Sequence, residues 1–246
     1  MQSDLDLARA LAMDAGQLLL RVRERHGLAG AALGRAGDLE ANDLIIASLR
    51  AARPADAILS EESADSPARL DAPRVWIIDP LDGTREFIAP GRTDWAVHIA
   101  LWERDVGLGA CAVGMPATGE SFFTSSSTRS TTMTTRARII VSQSRPPKFI
   151  DDLCAHMNAT KVVLGSAGAK AMAVVRGDVD AYVHAGGQWE WDSAAPVGVA
   201  MSAGLWCSRL DGSPLLYNQP HPYLPDLVIC RPELSNDLLR ALAAVL

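Results

Sequence analysis

Residues 76–87 read WIIDPLDGTREF, and no other stretch limits the fold of this chain as strongly. Trp76, Ile77 and Ile78 end an apolar run with the length and composition of a buried strand. Asp79 and Asp82 follow at once, so two carboxylates sit where a strand leaves the core. Pro80 biases Asp79 toward extended geometry and, on this reading, turns the chain out of the strand. Asp82 comes back to the same side three residues later, and Gly83 permits a close approach that a side chain would block. Converging carboxylates repel each other, so either one is protonated or a cation lies between them. The nearby donors are all oxygens, without Cys or His, which favours Mg2+ over Zn2+. The Leu81 carbonyl is available to complete the shell.

The flanking sequence supplies layers for such a strand to pack against. Residues 3–27 form an amphipathic helix with a Ser3/Asp6 capping pattern and Leu7, Leu11, Ala15, Leu18 and Leu19 at helical spacing. A second helix is expected over 39–54, ending at Pro54. Segments 57–63 and 74–80 read as strands ending in acids, and 94–103, 108–116 and 120–125 as an antiparallel meander. The Ser/Thr/Arg-rich stretch 124–138 is a low-complexity loop and the seam between two halves, 1–135 and 136–246. Beyond it, strands and helices alternate to the C-terminus, so an N-terminal α+β half with an antiparallel sheet precedes a C-terminal α/β half.

Composition removes several functions. The 246 residues carry a net charge of −6 with no evident basic face, so a nucleic-acid backbone is a poor partner. No apolar run approaches the ~18 residues that cross a bilayer, and the acidic N-terminus resembles neither signal nor anchor. The expectation is a cytoplasmic protein without a membrane partner. The four cysteines, Cys111, Cys154, Cys207 and Cys230, are too dispersed for a zinc motif and read as reduced thiols. GLGACAVG fails the dinucleotide-binding pattern, and no P-loop lysine motif occurs.

A third acidic stretch, GGQWEWDSAAPVG, places Asp192 where a helix begins, as an N-cap or as one more cation ligand. SEES (60–63), WIIDPLDGTREF and WDSAA (191–195) together resemble the Mg2+-dependent, lithium-sensitive phosphatase superfamily of inositol monophosphatase and fructose-1,6-bisphosphatase. GSAGAKAMAVVRGDVDAYVHAGG (165–187) and DGSPLLYN (211–218) are similar to family segments too. GTREFI followed by DWAVHIAL looks most like the CysQ-type 3'(2'),5'-bisphosphate nucleotidases. The resemblance implies a layered αβαβα sugar-phosphatase-like fold, two Mg2+ ions with a third held weakly, inhibition by Li+, and a homodimer. It makes Glu61, Asp79, the Leu81 carbonyl, Asp82 and Asp192 the metal ligands. Thr84 then acts on the nucleophilic water. An aspartate before the second helix supports Thr84; Asp38 and Asp43 both stand there, and family spacing selects Asp38, which leaves Arg35 where the family has a threonine.

The implied reaction is hydrolysis of a small phosphate ester by a metal-activated water. For a CysQ-type enzyme the ester is 3'-phosphoadenosine 5'-phosphate, a by-product of sulfate assimilation, and the products are AMP and phosphate. Inositol phosphates and fructose-1,6-bisphosphate are the alternatives, and a silent nucleotide or metal sensor is the non-enzymatic one. Amides of Gly83 and Thr84 would cradle the phosphate. A second anion needs cations, for which Arg85, Arg145 and Lys170 are candidates. Ser142, Gly165 and Ser166 would lie near sugar or base, and Glu190 would accept a sugar hydroxyl or face water. His98, in an alternating strand, reads as a packed or hydrogen-bonded core histidine.

Overall fold

The computed structural model of the protein describes residues 2–124 and 136–246. Most of the 124–138 segment, and the expected division between 135 and 136, lie outside them. Helix α1 (Asp4–Arg23) begins as its capping pattern requires, with the Ser3 hydroxyl accepting from the Asp6 amide at 3.1 Å. Helix α2 spans Gly30–Ala52, nine residues more at its start than the hydrophobic pattern indicates. Gly34 and Gly37 explain the difference. They interrupt the apolar periodicity, yet they are buried where the helix meets residues 81–88.

Strands β1 (Ala57–Ser60), β2 (Arg74–Asp82), β3 (Ala96–Glu103), β4 (Gly107–Met115) and β5 (Glu120–Phe123) form one sheet in sequence order. The expected meander is present, with β1 added in parallel to its edge. The five-residue helix α3 (Thr84–Ile88) leaves the end of β2. Pro80 does not turn the chain out of the sheet. Asp79 pairs with His98 and Asp82 with Ala96, so three steps on β2 face two on β3. The extra residue is a bulge, which re-aims the carboxylates while the strand stays paired.

The second sheet, in the order β7-β6-β8-β10-β9, uses β6 (Arg138–Ser142), β7 (Thr160–Leu164), β8 (Ala181–Trp189), β9 (Trp206–Ser208) and β10 (Tyr223–Cys230). Its β6 pairs are parallel, while β10 is antiparallel to both neighbours. Helices α5 (Ala167–Arg176) and α6 (Glu190–Ser202) lie between the sheets, with α1 and α2 outside the first and α4 (Ile150–His156) and α7 (Ser235–Val245) outside the second. The result is the five-layer αβαβα arrangement. Its central core joins Ile77 and Val113 of one sheet to Met172, Ala195 and Val197 of the middle helices and Tyr182 and Ile229 of the other.

Helix α6 is apolar on nearly every side because protein surrounds it. Gly198 is where it meets β4. A methyl group there would stand 2.3 Å from the Cys111 Sγ and 3.0 Å from its Cβ. Gly198→Ala should therefore lower unfolding stability in urea by about 1–3 kcal/mol. Removing the obstructing sulfur should make the Gly198→Ala/Cys111→Ala pair less destabilised than the two single effects summed.

Candidate active site

The bulge in β2 delivers its two acids into different surroundings. Asp79 is 1% exposed and accepts from the Leu81 amide at 3.0 Å. Asp82 points across to the start of α5, where Gly168 N–H donates at 2.6 Å and Ala167 N–H at 3.2 Å. His98 Nε2 stands 3.3 Å from the same carboxylate, off hydrogen-bond alignment, while its Nδ1 donates to the Trp191 carbonyl at 3.1 Å. His98 is thus a hydrogen-bonded core histidine, with no exposure at all.

Asp192 arrives from the other side. It is the third residue of α6 rather than its N-cap, which is Trp189, and accepts the Trp189 amide at 2.6 Å. Carboxylate oxygens of Asp79, Asp82 and Asp192 fall within 4.8 Å of one another. Glu61 stands on the exposed turn after β1, where its charge acts on Asp79. Asn42 of α2 fixes that turn, accepting from the Ser60 hydroxyl at 2.7 Å and donating to Ser63 at 3.2 Å.

The electrostatics follow from this crowding. Burial, then the charges of Glu61, Asp82 and Asp192, push Asp79 well above the carboxylate range. Burial and Asp192 carry Glu61 up to about 7, and burial and Asp82 carry Asp192 up to about 6. For Asp82 burial acts in the same direction, but His98, Lys170 and the Gly168 amide outweigh it and hold the group below its ordinary value. An all-oxygen cluster whose members resist joint ionisation suits a hard divalent cation.

Thr84, the first residue of α3, sits beside the cluster. Its hydroxyl lies 3.3 Å from Asp38 Oδ1 and 3.4 Å from the Leu81 carbonyl. Asp38 is raised to about 6 by burial and by Glu62, against the Thr84 hydrogen bond. It lies well inside α2, not at its start, and reaches Thr84 because Gly34 and Gly37 bring the helix close. A Cβ on Gly34 would meet the Thr84 methyl at 2.7 Å, and one on Gly37 would meet Leu81 and Phe87 at 3.0 Å. Asp43, five residues on, is exposed.

A cavity of about 330 Å³ opens over these groups, lined by Glu61, Asp82, Thr84, Arg85, Ser142, Arg145, Gly165, Ser166, Lys170 and Asp192 among others. Gly83, also in the lining, adopts φ +87°, and any Cβ there would strike Ser166 at 2.7 Å. Arg85 and Arg145 are exposed. Ser142 is buried and accepts from the Arg145 amide at 3.2 Å. Ser166 caps α5, accepting from Ala169 at 3.0 Å. The Lys170 ammonium donates to the carbonyls of Gly165 and Ser166 and stands 5.3 Å over the Tyr182 ring. Glu190 corrects the sequence reading. It is 1% exposed and its carboxylate accepts the Asn218 and Gln219 amides at 2.6 and 2.8 Å, so it meets neither a sugar nor water.

Asp94 was missed in the sequence. It accepts from Gly165 N–H at 2.7 Å and pairs with Arg92, tying the second half's turn to the first half. Only its place two residues after an arginine hinted at this.

A carboxylate cluster beside a cavity that also holds cationic side chains suits metal-assisted chemistry on an anionic ester. The sequence profile of the inositol monophosphatase family matches residues 1–244, and the chain belongs to that family. A Mycobacterium leprae (strain TN) protein named 3'-phosphoadenosine 5'-phosphate phosphatase is 53% identical, the alignment covering 99% of this chain and 94% of that one. The Salmonella typhimurium protein named 3'(2'),5'-bisphosphate nucleotidase CysQ is 27% identical over 77% of this chain and 81% of its own. Among solved structures, inositol monophosphatase from Anabaena (Nostoc) sp. PCC 7120 superposes with a TM-score of 0.80 at 22% identity, covering 98% of this chain and 96% of that one. Among the described residues no helix is long and apolar enough to cross a membrane.

The raised acids have a measurable consequence. Glu61, Asp79 and Asp192 bind protons more tightly folded than unfolded, so they favour the metal-free fold at low pH and oppose it as pH rises toward 7. His98, also raised, acts in the same direction, and His184, lowered, in the opposite one. A cation that replaces the protons acts on the three acids alone. The Mg2+-induced rise in Tm should therefore widen between about pH 5 and about pH 7.5, and Asp79→Asn should remove most of it. A gain of constant size across that range would contradict this electrostatic account.

Proposed function

We propose that this chain hydrolyses 3'-phosphoadenosine 5'-phosphate to AMP and phosphate with the help of Mg2+. The observation that carries the reading is a cavity with both kinds of charge. Glu61, Asp82 and Asp192 line it together with Arg145 and Lys170, cations that a second phosphate would need. The names of the mycobacterial relatives, 53–54% identical, supply the nucleotide. A monophosphate ester would leave those cations without a use.

Glu61, Asp79, Asp82, Asp192 and the Leu81 carbonyl would hold the cations. Bound Mg2+ would supply charge to neutralise the phosphate and acidify a water molecule. The protein's own groups then align the reaction. Asp38 accepts the Thr84 proton, which leaves the Thr84 oxygen lone pairs directed to an incoming water. Gly83, with φ +87°, brings backbone amides next to the acids. The Gly168 and Ala167 amides keep Asp82 ionised while other acids in the cluster titrate. Orientation and charge placement of this kind account for large shares of such accelerations.

A phosphate-release panel with Mg2+, comparing 3'-phosphoadenosine 5'-phosphate, inositol phosphates and fructose-1,6-bisphosphate, tests the reading. Preference for an inositol or fructose ester would replace it. With the preferred ester, Asp38→Asn should lower kcat by roughly a hundredfold or more with little change in KM, since the lost contact acts on the attacking water. Asp43→Asn should be neutral. The opposite pattern would move the supporting role to Asp43.

A further inference from the structure

The cavity holds two buried groups that neither the metal cluster nor the cations employ. His184 and Gln188, on β8, are 3% and 6% exposed and both line it. His184 Nε2 lies 3.1 Å from the Gly187 carbonyl, which can only accept, so that nitrogen carries the proton. Burial, with Lys170 and Arg145 adding to it, pushes the imidazole down to about 4, so the ring is neutral. Its Nδ1 therefore presents a lone pair, and it has no hydrogen-bond partner among the described residues. Gln188 donates through Nε2 to the Tyr182 hydroxyl at 3.0 Å, and its Oε1 is likewise buried and unpartnered. Tyr182 links the two, its ring 6.4 Å from that of His184.

Buried acceptors without donors are costly and uncommon in folded proteins. Two of them, on side chains that line one cavity, would be met by a ligand with two protons to give. A ribose hydroxyl has one. An ammonium has three but would be repelled by Lys170 and Arg145, which line the same space. A neutral exocyclic amine has two and no charge. Resting on the nucleotide reading above, we propose that His184 and Gln188 form the base subsite, receiving the 6-amino group of adenine. The subsite selects adenine over hypoxanthine, whose 6-oxo group would set an acceptor against the His184 lone pair.

The test measures kcat/KM for 3'-phosphoadenosine 5'-phosphate and 3'-phosphoinosine 5'-phosphate with the Mg2+-loaded protein and its His184→Phe and Gln188→Leu variants. The parent should prefer the adenine ester by about tenfold or more. Both variants should lose that preference through a slower adenine reaction. A merely structural loss slows the two esters equally and leaves the ratio unchanged, so the ratio reports on the subsite even in a destabilised variant. If the parent hydrolyses both esters equally, or the ratio survives both substitutions, the acceptors serve ordered water and the subsite is wrong. If the parent hydrolyses neither ester but releases phosphate from an inositol or fructose ester, the nucleotide reading falls with it.

Discussion

The site depends on keeping one carboxylate ionised inside the protein. Asp82 is 6% exposed, and burial pushes its carboxyl toward protonation. Two amides at the start of α5 and the imidazole of His98 reverse that outcome. Gly168 makes the arrangement possible, since a Cβ there would come within 2.3 Å of His98 and 3.1 Å of Asp82. With Asp82 anionic, Asp79 and Asp192 cannot ionise freely beside it, a charge pattern that suits a cation. The layered fold places all these partners at one point. The first sheet supplies the acids at a strand end, and the middle helices supply amides on one side and Asp192 on the other.

Much of this was legible in the chain, for identifiable reasons. The apolar run closing on Asp79 and Asp82 states its conflict openly, because carboxylates at a core strand end need a counterion. The alternation after residue 138 announced the second sheet's strands and helices. The start of α2 was hidden, since Gly34 and Gly37 look like helix breakers in a one-dimensional pattern. In three dimensions they are the clearance through which Asp38 reaches Thr84. The bulge at Pro80 was equally invisible, because a proline signals departure from a strand as readily as a kink within it. Glu190 showed only a charge near a motif. Its actual role, receiving two amides from the 218–219 turn, arises from residues nearly thirty positions away.

Family membership and the geometry answer separate questions. The match over residues 1–244 defines the lineage and the phosphatase class. Solved structures with a TM-score of 0.80 at 22% identity share the fold, and a fold alone does not choose an ester. Arg145, Lys170, His184 and Gln188 line the same cavity and differ in charge and hydrogen-bonding from the acids, so a choice of ester would rest on them.

The location of α6 has one more consequence. Asp79 is 1% exposed on a strand paired on both sides, and Asp192 is half-buried in the first turn of a helix that packs between the sheets. Glu61 sits on an exposed turn held by Asn42 and two serines. The acids are therefore unequal in exposure. Local fluctuation reaches the exposed side of the cluster at smaller free-energy cost than the strand-held side. An ion held by this cluster would therefore meet solvent first on the Glu61 side.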